Sequence, residues 1–257
     1  MNPRAVDETG LKVLASEAES SASAALVIGA GGGLGAALVA QLSSAAGRPG
    51  AFASVLALGR SSLPVIDYGD EASLKSAADW AASRCAEQHL KLRLLIVASG
   101  FLHGPQGQPE RSFSQLDAGY LNHVFQVNAI GPALVMKHFL PLLPRQGRCI
   151  AAFISAKVGS IGDNALGGWY GYRASKAALN QFVKTASVEM TRRNKQSVCV
   201  ALHPGTVDTA LSQPFAKAGL SVRPPQEAAS DLLAVIDQLV PENTGSLLDY
   251  RGQTLPF

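Results

Sequence analysis

Several patterns that mark other classes of protein are missing from this sequence. It contains no run of about 18 apolar residues, so we expect no membrane span. Its 257 residues include only three cysteines and no CxxC pair, which is typical of buried free thiols in a reducing compartment. The five histidines show no ligand spacing such as HExxH, so the sequence predicts no metal site.

Charge is also scarce. Charged residues make up 16% of the chain and the net charge is only +3, which predicts no surface for nucleic acid. The first 24 residues carry four acidic side chains and no uninterrupted apolar stretch, so they fit neither a signal peptide nor a transit peptide. We interpret residues 1–24 as a flexible N-terminal arm and expect a cytoplasmic protein.

The rest of the chain alternates short apolar runs, bounded by glycine, with segments of helical spacing. A strand that is buried on both faces is expected to be continuously apolar. The predicted strands are Ala25–Ile28, Ser54–Leu58, Leu92–Ala98, Cys149–Ile154, Ser197–Leu202 and Ser246–Tyr250. The predicted helices are Leu34–Ala45, Glu71–Glu87, Leu116–Leu143, Tyr172–Arg193 and Pro225–Leu239. This series predicts an α/β fold with a single doubly wound parallel sheet and helices on both faces.

A cluster of glycines follows the first predicted strand, in the stretch "LVIGAGGGLGAALVAQL". Gly29, Gly31, Gly33 and Gly35 fall within seven positions, and the predicted helix opens at Leu34. Glycines let the backbone turn sharply and approach a pyrophosphate, whose charge is met by N–H groups at the helix N-terminus. A lone glycine cluster also fits a flexible turn, but the strand before it and the helix after it favour dinucleotide binding.

The end of the second predicted strand distinguishes the two nicotinamide dinucleotides. An acidic residue there would bond the ribose 2′-hydroxyl, and a basic residue would accept a 2′-phosphate. The chain has "LALGRSS", with Arg60 and no carboxylate before Asp67. An exposed arginine is also an ordinary surface residue, but the missing acid favours NADP(H) over NAD(H).

Two tyrosines and a lysine lie in the stretch "GGWYGYRASKAALN". In a helix, Tyr172 and Lys176 are i and i+4, about 40° apart on one face, whereas Tyr170 points to a different side. A neighbouring ammonium favours the phenolate and would lower the pKa of Tyr172 toward the range of a general acid or base. Such a pair also occurs by chance on helix surfaces. Its position after a strand in a nucleotide-binding alternation makes Tyr172 the predicted acid.

With the asparagine of "VNAIGP" and the stretch "PGTVDT", these motifs resemble the short-chain dehydrogenase/reductase family. The run "ISAKVGSIGDNALGGWYGYRASKAALN" is more narrowly similar to its C-factor-like branch, near the sniffer-type carbonyl reductases. The resemblance covers the chain from about residue 24 onward. It implies a Rossmann-type NAD(P)-binding catalytic domain over residues 25–257, and hydride transfer between NADP(H) and a carbonyl or alcohol.

The resemblance also implies roles for individual residues. Tyr172 would be the acid/base, Lys176 would lower its pKa and bind a ribose, and Asn128 would order a lysine-bound water in a proton relay. The predicted cofactor-binding residues are Gly29, Gly31, Gly33, Leu34, Gly35, Arg60, Asp67, Ser99, Gly100, Asn128, Tyr172, Lys176, Pro204, Gly205, Val207 and Thr209.

Three departures from the family pattern stand out. Ile28 replaces a threonine that helps tie the glycine turn together, and "VASG" replaces the family's NNAG after the fourth strand. The substrate-orienting serine should fall at Ala156, and Ser155 lies one place early, which on an extended strand points it to the other face. We predict Ser155 as that serine and Ser160 as the alternative, although an ordinary loop serine fits either.

Two functional classes remain open at this point. The first is a carbonyl reductase or alcohol dehydrogenase that acts on a small-molecule carbonyl or alcohol and forms a homo-oligomer, a dimer or tetramer. The second is a nucleotide-binding sensor or signalling protein with little turnover, which the C-factor resemblance and the displaced serine favour. The partly apolar segment Ala210–Pro224, with Leu211, Phe215 and Leu220, would suit a small or medium apolar substrate as a lid.

Overall fold

A computed structural model of the chain describes residues 22–45, 51–213 and 222–257. The first strand begins at Ser23, two residues inside the predicted N-terminal arm. Residues 1–21 of that arm lie outside the described residues. Within the described ranges, none of the helices combines the length and the apolar character needed to cross a membrane.

The strands and helices follow the predicted alternation. The strands are β1 Ser23–Ile28, β2 Ser54–Leu58, β3 Lys91–Val97, β4 Cys149–Ile154, β5 Ser197–His203, β6 Thr206–Val207, β7 Val222–Arg223, β8 Leu247–Asp249 and β9 Thr254–Leu255. The α-helices are α1 Gly33–Ser44, α2 Glu71–Glu87, α3 Ala118–Phe125, α4 Gly131–Phe139, α5 Tyr170–Arg193 and α6 Pro225–Gln238.

One sheet of seven strands forms the centre of the molecule, in the order β2-β1-β3-β4-β5-β8-β9. The first six strands are parallel, and β9 adds to the edge in the antiparallel direction. The chain continues from β1 to one side and later returns to its other side, so the sheet is doubly wound, as predicted. In such sheets, ligands bind beyond the carboxyl ends of the strands where the winding reverses.

Helices cover both faces of this sheet, which confirms the predicted fold class. On one face, α1 and α6 pack against the strands through residues such as Leu38 and Leu232. On the other face, α2, α4 and α5 contribute residues such as Leu74, Phe139 and Val183 to a second core. Strands β1 and β4 are fully buried along their length, which explains their continuous apolar sequences.

The helix predicted over Leu116–Leu143 is interrupted in the structure. Helix α3 ends at Phe125, a π-helical turn spans Gln126–Ile130, and α4 begins at Gly131. Pro132 has no N–H, so it cannot donate to the carbonyl of Asn128 four residues earlier, and the regular α pattern is broken there. π-Helical turns of this kind are frequent at functional sites, and this one carries a predicted site residue.

Candidate active site

The glycine turn after β1 has the geometry expected of a phosphate cradle. Gly29 has a φ of 89°, and its N–H donates to the carbonyl of Leu58 at the end of β2 over 2.8 Å. A Cβ atom at Gly35 would lie 2.1 Å from the carbonyl oxygen of Gly29. Glycine is therefore required at both positions, one for the turn and one for the close approach of α1.

The mouth of this turn is open to a ligand. A Cβ at Gly31 would meet nothing within 4 Å. No side chain caps the N-terminus of α1 at Gly32, and its first turn carries no acidic residue. Leu34, in the first turn of α1, is buried. Because helix N-terminal N–H groups attract anions, these residues fit the pyrophosphate of a dinucleotide.

The predicted turn after β5 lies beside this cradle. A Cβ at Gly33 would come within 2.8 Å of the Thr209 methyl carbon. Gly205, directly after Pro204, has a φ of 77° and lies under the ring of Tyr250. Val207 is buried in the short parallel pair of β6 with β7. The structure thus brings two predicted cofactor segments, distant in sequence, to one edge of the sheet.

The predicted residues for the adenosine end follow β2 and β3. Arg60 is exposed one residue after Gly59, whose position lies close to the glycine turn. The carboxylate of Asp67 accepts a hydrogen bond from the N–H of Gly69, two residues further on, over 2.8 Å. The Ser99 hydroxyl lies 2.6 Å from the Tyr68 hydroxyl, and this hydrogen bond ties the segment after β3 to the segment after β2.

Tyr172 and Lys176 lie together on the buried side of α5. Nζ of Lys176 is 5.9 Å from the centre of the Tyr172 ring and donates to the carbonyl of Ile154 over 2.9 Å. Tyr172 is 8% exposed, whereas Tyr170 is 39% exposed. The predicted helical phase, which pairs the lysine with Tyr172, agrees with this geometry.

Burial controls the protonation of this pair. It raises the pKa of Tyr172 to about 12 and lowers the pKa of Lys176 to about 8. In the protein alone, the expected lowering of the phenol's pKa by the ammonium is therefore outweighed by desolvation. Tyr172 is a phenol, able to donate a proton, throughout the neutral range.

Asn128 sits fully buried in the π-helical turn, opposite this pair. Its amide accepts from the N–H and donates to the carbonyl of Phe101, both over 2.8 Å. It also donates to the hydroxyl of Ser175 on α5. A Cβ at Gly100 would lie 3.8 Å from both the Asn128 side-chain oxygen and the Lys176 ammonium nitrogen. The asparagine and the lysine therefore converge on the segment after β3.

Ser155, the predicted substrate-orienting serine, bonds another residue of the protein in this structure. The hydroxyl of Ser155 is buried and donates to the side-chain oxygen of Asn180 on α5 over 2.6 Å. Ala156 belongs to the buried apolar cluster that contains Tyr172, and Val158 packs against the same cluster. Ser160 is buried and accepts from the N–H of Asp163. The one-residue shift thus gives the position beside Tyr172 a methyl group and ties Ser155 to the helix.

An apolar wall surrounds the Tyr172 ring. It includes Leu102, Tyr120, Val124 and Ala156, with Phe101, Phe125, Val158, Trp169 and Leu211 packed against them. Of the predicted lid, Ala210 accepts from the ring of His103 over 2.9 Å, while Phe215 and Leu220 lie outside the described residues. The available sequence signal for this wall was the apolar pair Phe101 and Leu102, which follows β3 closely and which the sequence analysis did not single out.

Glu110 and Trp169 are two further residues of the site that sequence reasoning missed. Glu110 is buried against the first turn of α5, and Trp169 packs edge-to-face on Tyr172 with ring centres 6.1 Å apart. Across the described ranges, no group of three or more histidine, cysteine, aspartate or glutamate side chains could hold a metal ion.

Comparison with known proteins places this geometry in a family. C-signal of Myxococcus xanthus is 35% identical over 146 residues, 57% of this chain and 84% of that protein. The NADPH-bound carbonyl reductase from chicken fatty liver is 25% identical, with a TM-score of 0.77 over 92% of this chain and 99% of that one. Carbonyl reductase Sniffer of D. melanogaster, at 22% identity and a TM-score of 0.75 over the same shares, has the same fold.

The sequence model of the family described as short chain dehydrogenase matches residues 23–219, more than half of the chain. This match and the relatives confirm the resemblance stated from the sequence, including its C-factor-like and carbonyl reductase branch. They also confirm the predicted function, that of an NAD(P)-dependent oxidoreductase. The chain belongs to the short-chain dehydrogenase family.

Proposed function

We propose that this protein is an NADP(H)-linked carbonyl reductase or alcohol dehydrogenase in which Tyr172 is the acid/base. The observation that carries the proposal is the buried pairing of Tyr172 with Lys176, close to Asn128 and to an open phosphate cradle. Phenol, ammonium and amide serve proton transfer together, and a purely nucleotide-binding module would not require them. We assign the activity to residues 25–257 and place it in the cytoplasm, in a homo-oligomer.

The cofactor would be held beyond the carboxyl ends of the parallel strands. Gly29, Gly31, Gly33, Leu34 and Gly35 would cradle the pyrophosphate. The other predicted residues would bind the rest of the cofactor: Arg60, Asp67, Ser99, Gly100, Asn128, Tyr172, Lys176, Pro204, Gly205, Val207 and Thr209. When bound, the nicotinamide supplies or accepts the hydride. The protein's own residues bind, orient and move the proton.

Tyr172 is in the correct protonation state for reduction. Because its pKa lies near 12, its hydroxyl carries the proton that a carbonyl oxygen needs as it becomes an alcohol. The ammonium of Lys176 would stabilise the phenolate that remains, and its buried position makes that interaction stronger than it would be in water. Asn128 would hold a water through which the phenolate regains a proton.

The cleft favours an apolar carbonyl compound of small or medium size. The residues around Tyr172 are aliphatic or aromatic, and Ala156 places a methyl group where the family has its serine. We therefore propose that Tyr172 itself orients the substrate oxygen, because the hydroxyl of Ser155 is engaged by Asn180. A small alcohol or ketone without an apolar body would make few contacts here.

The preference for NADP(H) rests on Arg60. It is exposed at the end of β2, where a guanidinium can form charge-assisted bonds to a 2′-phosphate. The chicken carbonyl reductase of similar fold is described as NADPH-bound, which supports the same choice for this chain.

A panel of aldehydes, ketones and quinones tests the proposed function. NADPH and NADH oxidation would be followed with the unmodified protein and with Tyr172→Phe, and NADPH binding would be measured for both. We expect turnover with at least one apolar carbonyl compound, and its loss in Tyr172→Phe with NADPH binding retained.

A sensor with little turnover is the second candidate. The alanine beside Tyr172 and the similarity to C-signal favour it. Tight NADPH binding without oxidation across the whole panel would support this candidate instead.

A further inference from the structure

Glu110 is a buried acid that the proposed proton transfer does not use. It lies in the segment between β3 and α3 and is 2% exposed. Its two carboxylate oxygens lie 3.2 and 3.1 Å from the backbone nitrogen of Gly171, which donates to them. Its own carbonyl accepts from the N–H of Trp169 over 2.5 Å. One residue therefore bonds two backbone groups in the turn that opens α5.

That turn has an unfavourable backbone. Gly167, Gly168 and Trp169 have φ angles of 64°, 64° and 53°, so three consecutive residues adopt the left-handed region. Glycine accepts this conformation readily, but tryptophan does not, and such residues persist only where the surroundings hold them. Arg173 holds the turn from the helix side by donating to the carbonyls of Gly167 and Gly168.

Helix α5 supplies no cap of its own at this end. Trp169 makes no side-chain capping bond, and the first turn of the helix contains no acidic residue. Free N–H groups at a helix N-terminus favour a negative charge. Glu110 provides that charge from a segment about 60 residues away in sequence, which ties the wall of the cleft to the helix that carries Tyr172.

The residues that Glu110 holds are the immediate neighbours of the proposed acid. Gly171 directly precedes Tyr172, and the indole of Trp169 packs on the phenol ring at an interplanar angle of 81°. A Cβ at Gly171 would lie 3.1 Å from both the Glu110 carboxylate and the Tyr120 ring, so these groups are close-packed. A shift of this turn would move both the phenol and the indole that borders it.

We propose that Glu110 is a positioning residue: by bonding the N–H of Gly171 and the turn before it, it fixes Trp169 against Tyr172 and orients the phenol toward the substrate. The proposal rests on the proposed function, since it assigns Glu110 an effect through Tyr172. It extends that function by making the segment between β3 and α3 part of the catalytic geometry.

Two substitutions separate the hydrogen bond from the charge. Glu110→Ala removes the acceptor of the Gly171 N–H, and Glu110→Gln keeps an acceptor oxygen but removes the charge. The matched control is Asn243→Ala, since the Asn243 side chain also accepts from a backbone N–H, that of Val240. It precedes the first residue of β8, at the amino ends of the parallel strands, whereas the site lies beyond their carboxyl ends. Each is made in a Trp80→Phe background, so that Trp169 is the sole tryptophan.

We expect Glu110→Ala to lower kcat by about tenfold to 10²-fold, because small misplacements of a catalytic group have effects of this size. KM for the carbonyl and Kd for NADPH should change by less than about threefold, and Trp169 emission should shift to the red as the indole loosens. Glu110→Gln should restore most of kcat and the emission. Asn243→Ala should lower Tm and leave both unchanged.

The proposal is overturned if Glu110→Ala lowers Tm as Asn243→Ala does, yet keeps kcat and the Trp169 emission. If the unmodified protein reduces no carbonyl compound, the proposed function fails by itself. Trp169 emission then tests the role of Glu110 independently of turnover. An unchanged spectrum in Glu110→Ala overturns the proposed positioning of Trp169 by Glu110. A red-shifted spectrum that Glu110→Gln reverses supports it.

Discussion

Nζ of Lys176 lies 5.9 Å from the centre of the Tyr172 ring, one helical turn further along α5. Both side chains are buried, so each is kept closer to its neutral form than in water. This pairing predicts how the protein responds to pH and which tyrosine its activity requires.

Lys176 should make stability depend on pH in the alkaline range. Its pKa falls from 10.5 to about 8 on folding because burial disfavours the ammonium. Between these values the unfolded chain binds a proton that the folded chain has released, so the free energy of unfolding rises with pH. Relative to Lys176→Met, the unmodified protein should gain up to about 3 kcal/mol across this window.

Urea unfolding of both proteins at a series of pH values gives this difference, in which the titrations of cysteine and tyrosine largely cancel. A difference that stays flat, or that falls as pH rises, would show that Lys176 keeps its proton in the folded protein.

Arg60 should set the preference between the two dinucleotides. We expect NADPH to bind more tightly than NADH, and Arg60→Ala to narrow the gap by roughly 1.5–3 kcal/mol, one to two decades in affinity. Titration of each cofactor at one salt concentration measures the gap. Arg145→Ala, at an exposed arginine before the start of β4, is the control. Equal affinities in the unmodified protein would contradict the assignment.

Ser155→Ala should act on stability and hardly on rate. Its hydroxyl donates to the buried side-chain oxygen of Asn180, and loss of that donor should cost about 1–3 kcal/mol of unfolding free energy. Chemical unfolding and kcat/KM are measured on the same variant. A fall of about 10²–10³ in kcat/KM at unchanged stability would instead identify Ser155 as the donor that orients the substrate oxygen.

Ala156→Ser is the companion variant to Ser155→Ala. It returns a hydroxyl to the position that packs beside Tyr172, and we expect kcat/KM to rise. No gain in this variant would show that the cleft already orients the substrate oxygen as well as a hydroxyl could.

Local spacing predicted the parts of this molecule that depend on local geometry. The strands were predictable because burial on both faces makes them continuously apolar, and Lys176 pairs with Tyr172 because helical spacing alone fixes their relation. The glycine turn was predictable because a pyrophosphate demands a close backbone. Glycine is required at Gly29 because of its positive φ angle, and at Gly35 because α1 comes so close to the turn.

Other features depend on contacts between distant segments, and the sequence could not reveal them. Glu110 reads as an ordinary surface acid until the fold brings it to the N-terminus of α5. The partner of Ser155 is Asn180, 25 residues away, so its direction could not be read from the strand alone. The pKa of Tyr172 was expected to fall, because the spacing showed the nearby lysine but not the extent of burial.

NADPH oxidation with three proteins tests the central claim most directly. On the carbonyl compound that the unmodified protein reduces fastest, Tyr172→Phe should lose turnover by at least about 10²-fold while its Kd for NADPH stays within about threefold. Tyr170→Phe, whose phenol is exposed two residues away, should keep most of its activity. A Tyr172→Phe protein that keeps its activity would contradict the assignment of Tyr172 as the acid. So would a normally folded Tyr170→Phe protein that is inactive.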